Sequence, residues 1–285
     1  MKSGINSSFK CLIYFLGFLI IQMIVSLACI IPVVVKNQGL DASSMNSVIS
    51  EASIHSILFV NMAAYILFVA IVWLIIKKQK RKLSQQIRFC KVPLKACLFP
   101  VLTAFSFSMF WNIFVERLIV LPINIKESLD SYNTMLTESK NYFSQLFPSG
   151  GTVMFVLSVL IIGPIAEEFI FRGLIQTKLR SSMSSTLSIG ISAAFFGIAH
   201  LMACPIFVLS AFVMGIILAY SYEKTNSLIP PIVAHIVANL AGVAVNICNG
   251  FNDIWLWVCA ILFAGLTILG WFGIKKGFVR IPSRA

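Results

Sequence analysis

Charge is what this chain has least of. Only 11% of its residues are charged and ten are acidic, where a soluble domain carries about 25% charged residues. With 59% hydrophobic residues beside that shortage, a water-soluble globule is excluded and the chain reads as an all-α, polytopic membrane protein. Cysteine patterning is also missing. Cys11, Cys29, Cys90, Cys97, Cys204, Cys248 and Cys259 are scattered, odd in number and without C-x-x-C or zinc-ribbon spacing, so they read as small apolar core residues. H-E-x-x-H and other short zinc boxes are absent too.

What the chain does have is apolar runs. A helix needs roughly 17 to 25 apolar residues to cross a hydrocarbon core of about 30 Å. Such windows lie at 11–35, 56–76, 96–122, 152–175, 187–203, 205–222, 228–248 and 254–274, which predicts a bundle of about eight transmembrane helices. "SLAC" at 26–29 resembles a lipoprotein cleavage site, but the run continues as "IIPVVV", so an uncleaved first helix is expected. The net charge of +12 follows topology. With both termini cytoplasmic, the outer segments keep only Lys36, Arg117, Lys126 and Lys140, and the inner ones take nearly all other Lys and Arg, as the positive-inside rule requires. The basic excess therefore implies membrane lipids as partners, and no nucleic acid.

Two stretches are too polar for lipid. "KKQKRKLSQQIRFCKVPLK" at 77–95 is expected as a solvated basic loop or surface-lying helix. Residues 123–151 are expected as an extracytoplasmic loop with one interfacial helix. The organisation that results is 1–122 with helices one to three, the loop 123–151, helices four to seven over 152–248, and 249–285 with the last helix and a basic cytoplasmic tail.

Helices four to seven hold the unusual chemistry. Glu167, Glu168, His200 and His235 fall within spans, where a charged side chain costs on the order of 2.5 to 3.5 kcal/mol and normally faces the bundle interior. Residues four apart on a helix share a face while neighbours diverge by about 100°. Glu168 and Arg172 can thus pair, with the acid N-terminal, and Glu167 points elsewhere without a local cation. Phe196 with His200, and His235 with Asn239, repeat the four-residue spacing. Counted from the inner ends of their spans at about 1.5 Å per residue, Glu167 lies roughly 15 Å deep, His235 roughly 10 Å and His200 roughly 20 Å. A carboxylate, two imidazoles and a carboxamide at membrane depth suggest hydrolysis. A carboxylate kept from water can serve as general base, a histidine can relay the proton, and amide or imidazole N–H groups can hold an oxyanion. Two versions stand open: a metal-free mechanism, and a Zn2+ or other divalent metal held by Glu167, His200 and His235.

Three segments carry a family resemblance. "PIAEEFIFRGLI" is similar to an E-E-x-x-x-R motif, "AAFFGIAHL" to F-x-x-x-H and "PPIVAHIVANL" to H-x-x-x-N, in the order seen in the CPBP family of CAAX prenyl endopeptidases and bacteriocin-processing or self-immunity membrane proteases. The likeness covers roughly 150–245. It implies an intramembrane endopeptidase, metalloprotease or glutamate protease, cutting a peptide or membrane-anchored protein in a cell membrane, the bacterial plasma membrane being expected. Residue by residue, it implies Glu167 as the catalytic carboxylate and His200 as its helper in activating water. His235 and Asn239 would bind the oxyanion or complete a metal site, Glu168 and Arg172 would support, and Phe196 would form a wall. The family's F-x-x-G-x-x-x-G pattern appears as Phe212, Gly215 and Ala219, with alanine in place of the second glycine, and small-xxx-small packing survives that change.

Other readings compete. A transporter or proton relay would use buried Glu and His as well but predicts repeated halves, and none is visible. A non-catalytic membrane scaffold or immunity partner would need no reactive carboxylate. His55, at the outer end of the second span, is expected to be solvated and inert. Pro164 is expected to loosen the fourth span.

Overall fold

A computed structural model describes residues 2–80, 87–114, 123–146, 148–201, 205–245 and 252–276. The expectations for Arg81, Lys82, Arg117, Cys204, Cys248 and the basic tail beyond Lys276 lie outside those residues. The described chain is all-helical: α1 (Lys2–Lys36), α2 (Ala42–Lys78), α3 (Lys95–Ile113), α4 (Ile123–Leu146), α5 (Gly150–Arg180), α6 (Ser185–Ala199), α7 (Pro205–Thr225), α8 (Ile229–Ala244) and α9 (Asp253–Lys276).

Six of these helices are long and apolar enough to cross a membrane, and α6 and α8 are apolar but shorter. The chain is an all-α, multi-pass membrane protein. Helix α1 runs unbroken through "SLAC" and Pro32. Helix α2 starts where Asp41 caps it, its carboxylate accepting from the Ser43 and Ser44 N–H groups at 2.9 and 3.0 Å. The Ser43 hydroxyl, then the other Ser43 and Ser44 donors, hold that carboxyl below the usual carboxylate range. Helix α6 stops at Ala199, short of the expected 203. His200 therefore sits at a helix end, where its Nδ1 bonds Phe196 O at 2.8 Å.

Helices α1 and α2 pack together, α3 packs on α8 and α9, and α6 on α7, while α5 touches α1, α2, α6, α7 and α8. One core joins Phe15 and Phe18 of α1, Phe68 and Val72 of α2, and Ile170, Phe171 and Ile175 of α5 to Phe196 of α6. Lipid is as apolar as leucine, so close backbone approach must supply packing energy. A Cβ on Gly215 of α7 would stand 3.0 Å from Ala193 Cα of α6, and one on Gly197 of α6 would stand 3.2 Å from Phe212 Cβ. Phe212 and Gly215 are thus the points where α6 and α7 meet.

One polar segment and one histidine depart from expectation. The basic stretch is not wholly solvated. Ile87 is buried against Gly173, Arg88 N–H donates to Tyr222 Oη at 3.4 Å, Leu228 N–H donates to Arg88 O at 2.9 Å, and Ser227 Oγ donates to Cys90 O at 2.5 Å. The backbone polar groups of this segment find partners on the ends of α7 and α8, which pins it. His55 is not isolated either: its ring stacks on Tyr142 of α4 at 4.5 Å and its Nδ1 lies 4.0 Å from Glu51, one turn earlier.

The α6–α7 contact makes a prediction. Gly215→Leu overfills it and lowers stability by about 1–3 kcal/mol, read as a lower thermal unfolding midpoint in detergent. Gly190→Ala on the same α6, where an added Cβ meets nothing within 4 Å, leaves the midpoint unchanged or slightly higher.

Candidate active site

Helix α5 is not a plain α-helix. From Val156 to Ile162 and from Phe169 to Gln176 its turns widen to the five-residue repeat of a π-helix, a geometry that often marks functional positions. Between them lies one ordinary turn, Gly163–Glu168, which carries both glutamates. Gly163 N–H reaches back five residues to Ser158 O. The next rung would run from residue 164 to Val159 O, and Pro164 has no N–H to give. Asn239 of α8 fills that rung, its Nδ2 donating to Val159 O at 2.9 Å. In lipid an unpaired carbonyl costs several kcal/mol, so this bond ties α8 to α5 beside Glu167.

The two adjacent glutamates have separate surroundings, as a 100° turn between neighbours requires. The Glu168 side chain is fully buried and Glu167 is 13% exposed. Glu168 Oε1 accepts from Arg172 Nη1 at 2.7 Å and bonds His235 Nδ1 at 2.9 Å. Arg172, also fully buried, donates through Nη2 to Gly215 O of α7 at 3.1 Å, and its guanidinium lies 4.6 Å over the Phe196 ring. One turn on, Gln176 Nε2 donates to Ala219 O at 3.0 Å. Gly215 and Ala219 thus offer their carbonyls to α5.

His235 has both ring nitrogens directed by acids. A carboxylate accepts only, so Nδ1 carries the proton in the bond to Glu168. In the neutral ring Nε2 is then the free acceptor, 3.7 Å from Glu167 Oε2. The other carboxylate oxygen, Glu167 Oε1, accepts from the phenol of Tyr65 on α2. His200 has its Nδ1 on Phe196 O, and its ring lies 4.7 Å from Phe196. Phe196 also meets His235 edge-on at 5.6 Å, so its ring touches both imidazoles and the Arg172 guanidinium.

Glu167, Glu168, Arg172, His235 and Phe196 are thus brought together directly. Asn239 joins through Val159, and His200 joins only through Phe196. Among the described residues no three His, Cys, Asp or Glu side chains form a group fit to hold a metal ion. Glu167 and His235 face one another, but His200 completes no ligand set with them. Two participants escape the sequence reading. Tyr65 lies in a span without motifs, where an aromatic residue reads as packing. The Glu168–His235 bond, spanning 67 residues, has no signal in helical spacing.

Residues 149–241 match the family model described as type II CAAX prenyl endopeptidase Rce1-like. This region of the chain is Rce1-like. The match agrees with the CPBP likeness and supports a CAAX-type intramembrane protease role in general terms. The Rce1-like region contains all three motifs and nearly all of the polar cluster, whereas Tyr65 lies outside it. No curated protein and no solved structure matches the chain.

Two outcomes test this geometry. Arg172→Met strands the buried Glu168 carboxylate and costs about 3–5 kcal/mol, part of which returns in Glu168→Gln/Arg172→Met; thermal unfolding in detergent reads both. Asn239→Ala orphans Val159 O and costs about 1–3 kcal/mol, less when it is combined with Pro164→Ala, which gives position 164 an N–H of its own. Equal costs of Asn239→Ala with and without Pro164→Ala would uncouple the two residues.

Proposed function

We propose that the protein is an intramembrane endopeptidase in which Glu167 activates the attacking water. The observation that carries this reading is the asymmetry of the glutamate pair: Glu168 is sealed and occupied by Arg172 and His235, while Glu167 keeps some exposure and faces a free imidazole nitrogen. A Glu167–His235 separation of 3.7 Å is too long for a good hydrogen bond and suits two groups that handle one proton in turn.

The reaction balances as follows. Glu167 Oε2 takes a proton from water as the water oxygen bonds the scissile carbonyl carbon. His235 Nε2, held in its tautomer by Glu168, accepts that proton and delivers it to the leaving amine as the C–N bond breaks. Asn239 has one amide hydrogen committed to Val159 O, and its second is the oxyanion donor in this scheme. His200, with Nδ1 engaged, presents Nε2 as a second acceptor for the water. The substrate class is a membrane-anchored peptide or protein, and prenylated CAAX peptides are the first to try given the family description.

Purified protein in liposomes, given farnesylated CAAX peptides and unmodified membrane peptides, should cleave at least one of them. Glu167→Gln is expected to lower kcat by about 10² to 10⁴, His235→Ala by a similar factor and His200→Ala by less, with folding preserved by thermal unfolding. Undiminished cleavage by Glu167→Gln would overturn the proposal.

A further inference from the structure

We propose that Tyr65, in the helix pair that lies outside the Rce1-like region, is a positioning residue for Glu167, and that α1 and α2 are therefore part of the active site. The inference rests on the reading of Glu167 as the reacting carboxylate. Its own support is geometric.

A carboxylate at membrane depth can rotate about its last bond unless each oxygen is held. Tyr65 Oη donates to Glu167 Oε1, and that bond leaves Oε2 as the oxygen facing His235 Nε2 at 3.7 Å. Without the phenol donor, either oxygen could turn toward the imidazole or away from it. No donor on α5 itself is bonded to Glu167 among the described residues: Arg172 directs Nη1 to Glu168 and Nη2 to Gly215, and its buried Nε has no partner.

The phenol is placed with care. Its ring stacks on Phe18 of α1, centroids 5.3 Å apart and 11° from parallel. Phe18 in turn meets Phe68 of α2 edge-on at 5.8 Å. One turn before Tyr65, Asn61 Oδ1 accepts from Gln22 Nε2 of α1 at 3.1 Å, an interhelical bond that fixes the register of α1 against α2. On the other side a Cβ at Gly163 would lie 3.8 Å from Tyr65 Cε2, so the turn that bears Glu167 passes beside the tyrosine ring. Asn61, Tyr65, Phe68 and Val72 lie three or four residues apart and share one face of α2. The part of that face that is polar, Asn61 and the Tyr65 hydroxyl, is spent on α1 and on Glu167.

A packing role alone would need only the ring, so the hydroxyl separates the two explanations. Tyr65→Phe keeps the stack on Phe18 and removes the donor. It is expected to lower kcat about 10- to 100-fold, with KM within about twofold and no more than the small fall in unfolding midpoint that loss of one hydrogen bond brings. Fluorotyrosines at position 65, which strengthen the phenol as a donor without altering its packing, are expected to change kcat in order of phenol acidity. The contact has a readout independent of turnover: the ¹⁹F resonance of 3-fluorotyrosine at position 65 moves in Glu167→Gln. Wild-type kcat in Tyr65→Phe, or a resonance indifferent to Glu167→Gln, would overturn the assignment. Should Glu167→Gln itself cleave normally, the proposed function fails, and the fluorine shift still decides whether Tyr65 holds the carboxylate.

Discussion

A single oxygen, Glu168 Oε1, takes a hydrogen bond from Arg172 and another from His235 in a place with no exposed surface. Bringing a carboxylate and a guanidinium out of water costs several kcal/mol per ion, and only close pairing with further hydrogen bonds recovers it. Here the recovery draws in α7 through the Gly215 carbonyl, α6 through the Phe196 ring and α8 through His235. The charge at Glu168 is thus a constraint on four helices at once. The same bond decides which nitrogen of His235 is free. Packing and chemistry in this bundle meet at one atom.

The second constraint is backbone accounting in a solvent that offers no hydrogen bonds. Wide turns on both sides of Glu167 and a proline inside the intervening turn disturb the carbonyl ladder of α5. Asn239 restores one rung from a neighbouring helix, which makes a residue of the H-x-x-x-N motif a structural bolt as well as a candidate donor. Pro164 and Asn239 are in this sense one device split between two helices. The expected loosening of the fourth span is therefore matched by a specific closure.

Glu167 shows what the adjacent-glutamate motif accomplishes. Turned about 100° from its neighbour, it escapes the ion pair and keeps partial access to the outside. Tyr65 and His235 reach it from opposite helices, α2 and α8. The helix pair that carries no recognisable motif is consequently pressed against the turn where the chemistry is proposed, and an isolated Rce1-like region would lack that wall.

Composition and period were enough to identify the apolar helices, the Glu168–Arg172 pair and the segments bearing Glu167, His200, His235 and Asn239, because each is a local property: a run of apolar residues, or two side chains four apart on one helix. The pinning of Ile87 to Cys90 and the His55–Tyr142 stack were misjudged, since local polarity says little about what a neighbouring element supplies; the Glu51–His55 pair, four apart on one helix, was legible and passed over. Tyr65 on Glu167, His235 on Glu168 and Asn239 on Val159 join positions 102, 67 and 80 residues apart. Such bonds depend on how helices turn about their axes when they pack, so the amino-acid order determined which polar groups enter the membrane, and only the tertiary structure decided which of them meet.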